Sequence, residues 1–236
     1  MKPPDYFFDT AAEGPGHYPQ RFCVFFMAVV KALFTLCFRV KAYGAEFLKD
    51  PTQAGQHPYI IAGNHRSYLD PLFVMMALRP RPLRFMAKEE FLNAPIAGRV
   101  GAWVGAFPVK RDSADIKVIK RAATMLKRGE LVGIFPEGTR GRGLADDAKR
   151  DAHEGVALLA HLAKANVVPV RIWNAAKIAP AGARRWHFPR ITLRFGEPLS
   201  LTEERYSKLD KETRFATFTA DIMAAVYALE NPREKG

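Results

Sequence analysis

The stretch Tyr59-Ile60-Ile61-Ala62-Gly63-Asn64-His65-Arg66-Ser67-Tyr68-Leu69-Asp70 decides how this chain is read. Residues 59–63 are an apolar run of strand length. At its end stand a histidine and, one short turn later, a carboxylate: His65 and Asp70 form an H-x-x-x-x-D pair. That placement suits a general base with an orienting partner. A carboxylate that accepts from one ring nitrogen fixes the tautomer and leaves the other nitrogen free to take a proton. It also stabilises the imidazolium that forms. Taken alone, the pair equally fits a histidine that serves only the turn or the core. Ser67, inside the motif, suits a turn or a helix N-terminus better than a nucleophile.

A second stretch shifts the balance. Leu131-Val132-Gly133-Ile134-Phe135 reads as another buried strand and runs into Pro136-Glu137-Gly138-Thr139-Arg140, a turn carrying one acid, one hydroxyl and one fixed cation. Strand-end loops are where α/β proteins keep their chemistry, and Arg140 offers a planar donor fork suited to phosphate. Outward from these two stretches, further strands are expected at 83–87, 106–109, 167–172 and 191–195. Helices are expected at 71–78, 115–127, 154–165 and 211–229. This alternation argues an α/β fold, a mixed and largely parallel sheet covered by helices. Phe215, Phe218, Ile222, Val226 and Leu229 form a core stripe on the last helix. Helix 115–127 places Ile116, Ile119, Ala123 and Leu126 near one face, with Lys117, Lys120, Arg121 and Lys127 around the rest; it reads as a solvated amphipathic helix or, alternatively, a basic membrane-facing surface. Segment 176–186 reads as a surface loop.

The 236 residues suffice for one domain with a sizeable core. A net charge of +12 and a pI of 9.8 direct the surface to polyanions. No zinc-finger spacing, RNP-like aromatic motif or basic zipper is present, so an anionic membrane and a phosphate-bearing substrate fit better than nucleic acid. Residues 1–18 are Pro/Gly-rich and read as a loose arm. Residues 22–38 are apolar except for Lys31 and Thr35; as a helix they reach about 25 Å, short of a ~30 Å hydrocarbon core. With Arg21, Lys31 and Arg39 snorkelling, a membrane-associated interfacial helix over 19–40 is expected; a true span and a helix packed on the protein's own core are the alternatives. Asp5, Asp9 and Glu13 do not make a signal-peptide n-region. Cys23 and Cys37 lie too many turns apart to bridge within one helix. A metal site is not expected, because His153 and His161 lack ligand spacing and no C-x-x-C occurs. Neither a Walker loop nor a G-x-S-x-G elbow appears.

Four blocks occur in order: Asn64 to Asp70; Gly105-Ala106-Phe107-Pro108-Val109-Lys110-Arg111; Phe135 to Arg140; and Val168-Pro169-Val170-Arg171-Ile172. In these the chain resembles the glycerophospholipid acyltransferases, most closely the 1-acyl-glycerol-3-phosphate (lysophosphatidic acid) acyltransferases, over about residues 40–200. The resemblance implies a glycerol-3-phosphate acyltransferase-like fold with residues 41–236 as the acyltransferase domain. It implies transfer of a fatty acyl group from acyl-CoA or acyl carrier protein, as co-substrate and with no cofactor, to the free hydroxyl of lysophosphatidic acid. It makes His65 the base and Asp70 its partner, and points to Arg111, Glu137, Gly138, Thr139 and Arg140 for the acceptor's phosphate and glycerol. Glu137 would orient the glycerol hydroxyls or Arg111. Lys88, which follows a strand, is a further phosphate ligand or else a solvated lysine. Pro169 would border the acyl channel or the core. A membrane-associated enzyme on the cytoplasmic face is expected. Pro108 departs from the family's commoner aliphatic, and residues 151–155 carry acid where Lys or Arg is usual. A different lysolipid acceptor, a non-catalytic binder of anionic membranes and a nucleic-acid binder are the other readings.

Overall fold

Alternate side chains of a strand point to opposite faces, and here both faces are apolar, so the central strands need cover on two sides. The computed structural model describes residues 20–46, 48, 58–78, 83–88, 101, 105–109, 116–138, 140, 149–180 and 185–234. In chain order its elements are α1 (Gln20–Phe38), β1 (Lys41–Tyr43), β2 (Tyr59–Gly63), α2 (Asp70–Ala77), β3 (Leu83–Lys88), β4 (Ala106–Val109), α3 (Ile116–Lys127), β5 (Leu131–Ile134), α4 (Gly155–Ala163), β6 (Asn166–Trp173), β7 (Thr192–Phe195), α5 (Glu204–Ser207) and α6 (Lys211–Ala228). The strands form a 7-stranded sheet in the order β1-β7-β6-β2-β5-β3-β4. β6 and β7 pair antiparallel; the other pairs are parallel.

One core takes Ile60, Ala62, Val132 and Val167 from the strands and covers them with α3, α4 and α6, through Ala122, Leu126, Val156, Leu159, Phe218 and Ile222. The opposite core takes Ile61, Leu131, Val168, Val170 and Ile172 and covers them with Phe73 and Val74 of α2 and Phe38 of α1. Phe73 is fully enclosed, with Phe38 and Phe34 at 5.4 and 5.6 Å between ring centroids. Burying such a side chain stabilises by about 1.5–3 kcal/mol.

The mixed, largely parallel sheet has the expected strands. β1 and α5 are additions: β1 has two of its three residues exposed and so no burial periodicity to read. α4 stops earlier than 165 because Lys164 turns left-handed, φ 51°, and returns its N–H to the carbonyls of Ala160 and His161. α6 begins where Asp210 caps the amides of Glu212 and Thr213. On α3 the buried face is Ala122, Ala123, Met125 and Leu126, while Ile116 is exposed. Pro108 lies in β4, at the sheet edge, where a missing N–H costs no ladder bond.

Among the described residues no helix is long and apolar enough to cross a membrane. The last five residues of α1 meet the core: Phe38 is buried and Phe34 and Cys37 pack against it. Phe25, Val29, Leu33 and Leu36 are exposed. The expected arm over 1–18 lies outside the described residues.

Candidate active site

β2 lies between β5 and β6 and runs parallel to both, with Ala62 opposite Ile134 and Gly63 opposite Val170. The loops leaving β2 and β5 therefore emerge side by side. Asn64 sets the direction of the first. Its side-chain amide donates to the carbonyl of Ile172 at 2.9 Å, and its oxygen accepts the Ile172 N–H at 2.8 Å. The side chain so completes the ladder with β6 while the backbone turns away. Asn64 is wholly buried, where an unpaired amide would be costly.

The turn then brings His65 to Asp70. Asp70 Oδ2 accepts from His65 Nδ1 at 2.8 Å and from the backbone N–H groups of Arg66 and Ser67, both at 2.7 Å. Ser67 Oγ accepts the Leu69 N–H at 3.2 Å, so this hydroxyl serves the turn. Asp70 opens α2 with Pro71 behind it, a residue suited to a first helical turn. The carboxylate is fully enclosed, and its Oδ1 has no hydrogen-bond partner among the described residues. With Nδ1 donating to a carboxylate, the neutral ring carries its proton there and Nε2 is the acceptor. The His65 side chain is 17% exposed, and Nε2 has no protein partner among the described residues.

Flat packing holds the ring. His65 stacks on Phe135, 4.3 Å between centroids and 12° between planes; Phe135 stacks on Phe85 at 5.4 Å and 10°. The stack needs Gly133, since any Cβ there would collide with the Phe85 ring.

A buried network joins the two loops. Arg66 Nη1 donates to Glu137 Oε2 at 2.5 Å and to the His65 carbonyl at 3.0 Å. The His65 N–H donates to Glu137 Oε2 at 3.3 Å. Tyr227 of α6 donates its hydroxyl to Glu137 Oε1 and accepts from Arg66 Nη2 at 3.0 Å. The side chains of Arg66 and Glu137 are both 0% exposed. Burial opposes the charge of Arg66, but Glu137 and Tyr227 outweigh it and hold the guanidinium above its ordinary pKa. Burial and the bond to Glu137 push the Tyr227 hydroxyl up to about 12. Arg171 of the fourth block donates to the carbonyls of Tyr227 and Leu229 at 2.7 and 2.9 Å, fastening the end of α6 to β6.

Glu137, which the resemblance implies as a ligand-orienting residue, here has its carboxylate enclosed and bonded to Arg66, Tyr227 and the His65 N–H. Arg140 does come to the first block, its guanidinium carbon 3.1 Å from the ring centroid of the exposed Tyr68. Gly138 adopts φ +67°, and a Cβ there would meet the His153 ring at 2.9 Å. Lys88 ends β3 opposite Val109, at the end of the sheet from which the loops after β2 and β5 leave. Arg111 and Thr139 lie outside the described residues. Sequence reasoning missed Asn64, Arg66 and Tyr227. The unusual run of two polar residues flanking His65 was the available signal for the first two; Tyr227 had none.

The acyltransferase family profile matches residues 39–173. A Bacillus subtilis (strain 168) protein named 1-acyl-sn-glycerol-3-phosphate acyltransferase is 30% identical over 203 residues, 86% of this chain and 94% of that protein. A Pseudomonas aeruginosa lyso-ornithine lipid O-acyltransferase is 37% identical over 93 residues, 39% of this chain and 34% of that one. In fold, the crystal structure of the 1-acyl-sn-glycerophosphate (LPA) acyltransferase PlsC from Thermotoga maritima superposes with a TM-score of 0.64 at 16% identity, covering 96% of this chain and 88% of that one. Profile, near full-length relative and shared architecture agree: the chain belongs to the acyltransferase family.

Proposed function

We propose that the protein transfers a fatty acyl group from an acyl thioester, acyl-CoA or acyl carrier protein, to the free hydroxyl of lysophosphatidic acid, giving phosphatidic acid and a free thiol. The observation that carries the reading is the 2.8 Å bond from His65 Nδ1 to an enclosed Asp70, with Nε2 left as acceptor. The acceptor hydroxyl attacks the thioester carbonyl and gives its proton to Nε2. Asp70 steadies the imidazolium. The tetrahedral intermediate collapses, the C–S bond breaks, and the imidazolium returns the proton to the departing sulfur. No enzyme nucleophile takes part.

The acceptor's phosphate and glycerol are held at the strand-end loops by Arg140, with Arg111, Lys88, Gly138 and Thr139 as further ligands; Glu137 acts by bracing the loop. Residues 41–236 form the acyltransferase domain, residues 19–40 the membrane-associated helix and residues 1–18 a loose arm. The protein works on the cytoplasmic face of a membrane, a reading supported by the exposed apolar side of α1 and the net charge of +12.

A panel of lysolipid acceptors with isotope-labelled acyl-CoA, read by mass spectrometry, tests the assignment. Lysophosphatidic acid should be acylated fastest. Faster acylation of a lyso-aminolipid would move the acceptor to the class named for the Pseudomonas relative, and no transfer to any acceptor would remove the reading.

A further inference from the structure

Eight large hydrophobic side chains are exposed among the described residues: four lie on α1, and two, Trp186 and Phe188, lie in a segment that meets the end of that helix. Phe25, Val29, Leu33 and Leu36 lie along one side of α1, spaced by three or four residues. Trp186 and Phe188, 61% and 52% exposed, belong to the segment between β6 and β7 that meets the end of α1. There the Phe188 ring lies 5.3 Å from Phe38. The α1 stripe is explained by membrane association; the Phe38 contact accounts for one side of Phe188 but not for the exposed faces of Trp186 and Phe188.

The backbone around the pair is tied down. The His187 N–H donates to the Ile178 carbonyl at 2.8 Å, and Asn174 donates to the Arg190 carbonyl at 2.9 Å. The Ile191 N–H donates to the Phe38 carbonyl at 3.0 Å, and Arg39 donates to the Phe188 carbonyl at 3.2 Å. Two large rings are thus presented to water on a held frame. Exposed Lys177, Arg185 and Arg190 lie in the same connection, and exposed Arg39 and Lys41 lie where it meets the end of α1 and the start of β1. Aromatic rings accompanied by Arg and Lys match the headgroup level of an anionic bilayer, where Trp sits with its ring half immersed and cations meet phosphates.

The sheet fixes where this corner lies. Trp173, Thr192 and Lys41 stand in register across β6, β7 and β1. β6 leaves the sheet there in the same direction as β2, whose next residues are Asn64 and His65. The aromatic pair, the end of α1 and the His65 loop therefore share one end of the sheet.

We propose that residues 185–190 form a second membrane-docking element, in which Trp186 and Phe188 enter the headgroup region of an anionic bilayer beside α1 and turn the His65 end of the sheet toward the lipid. The inference rests on the reading of the protein as membrane-associated and adds to it a fixed orientation. One helix lying on a surface leaves the domain free to roll about the helix axis; a second contact off that axis stops the roll.

The test uses the full chain with vesicles of phosphatidylcholine and phosphatidylglycerol, some carrying bromine on the acyl chains near the headgroup. The chain has three tryptophans, so the Trp186→Phe variant isolates the signal of this one. The wild-type emission should shift to shorter wavelength on binding and be quenched by the brominated lipid, with most of the quenching absent in Trp186→Phe. Trp186→Ser and the double change Trp186→Ser/Phe188→Ser should lower vesicle partitioning, the double by at least ~10-fold, with circular dichroism unchanged. Trp186→Ser alone suffices if loss of the Phe38 contact unfolds the double variant. Wild-type binding without quenching at position 186, and with unchanged partitioning of Trp186→Ser, would overturn the proposal and leave α1 as the anchor. A wild-type protein that ignores the vesicles would overturn the membrane reading itself. A lipid-free dimer that Trp186→Ser converts to monomer would make the pair a self-association surface and overturn the proposal too.

Discussion

Asp70 Oδ2 receives one imidazole and two backbone donors, so a single oxygen fixes both the ring and the turn that carries it. Asp70→Asn keeps an oxygen for the two amides and should fold normally. It removes the charge that steadies the imidazolium, so kcat should fall by about 10²–10⁴-fold, measurable by steady-state kinetics beside a thermal melt that stays in place. Arg140 leans on Tyr68 at 3.1 Å, beside the His65 turn. Arg140→Ala should raise the KM for the lysolipid through loss of a charge-assisted bond of ~1.5–3 kcal/mol, with the thioester KM nearly constant; a change confined to the thioester would move the phosphate elsewhere. At this scale His65 and Asp70 were legible because they are five residues apart, follow an apolar run, and need only one local turn to meet. Asn64 was not, because its partner Ile172 stands 108 residues away. The resemblance implies a ligand-facing Glu137, and nothing local in the sequence marks its carboxylate as enclosed. Its partners Arg66 and Tyr227 are 71 and 90 residues distant.

The elements that carry the site are joined by that same buried network. The loops after β2 and β5 meet through Arg66 and Glu137, α6 enters through Tyr227, and Arg171 of β6 closes the frame on the last carbonyls of α6. Tyr227→Phe leaves the ring in place and removes the hydroxyl that bridges the pair, and should cost about 1–3 kcal/mol of stability near neutral pH. The pH dependence has a definite sign. Burial and Glu137 raise the Tyr227 hydroxyl from 10.0 to about 12, so its contribution is fully present below pH 10 and is lost as pH rises through about 12. Urea titrations of wild type and Tyr227→Phe should therefore converge across that window; a constant gap would contradict the assignment. The strands and the long helices were legible as elements because period-two and period-3.6 burial leave marks in the sequence. β1 and α5 left none: one is three residues long and half out of the core, the other four.

At the scale of the molecule, a largely parallel sheet closed on both faces by helices puts its chemistry at the ends of β2 and β5, and one end of the sheet carries α1, the aromatic pair and His65 together. The apolar run of α1 was legible as such. That its last five residues meet the core through Phe34, Cys37 and Phe38 while Phe25, Val29, Leu33 and Leu36 stay exposed was not, because these positions are alike in hydrophobicity and only the partner surface separates them. Glutamates at the exposed positions Leu33 and Leu36 should leave thermal stability within about 0.5 kcal/mol while sharply reducing co-sedimentation with anionic vesicles. Retained sedimentation at high salt would place the anchor elsewhere. The proposed reaction on this fold is the direct attack of a lysolipid hydroxyl under base catalysis by His65. The measurement that bears on it most directly is transfer of labelled acyl groups from acyl-CoA to lysophosphatidic acid by purified wild type and His65→Ala, quantified by mass spectrometry on proteins with matching circular dichroism. Transfer should fall by at least ~10²-fold in the variant; equal rates would contradict base catalysis by His65.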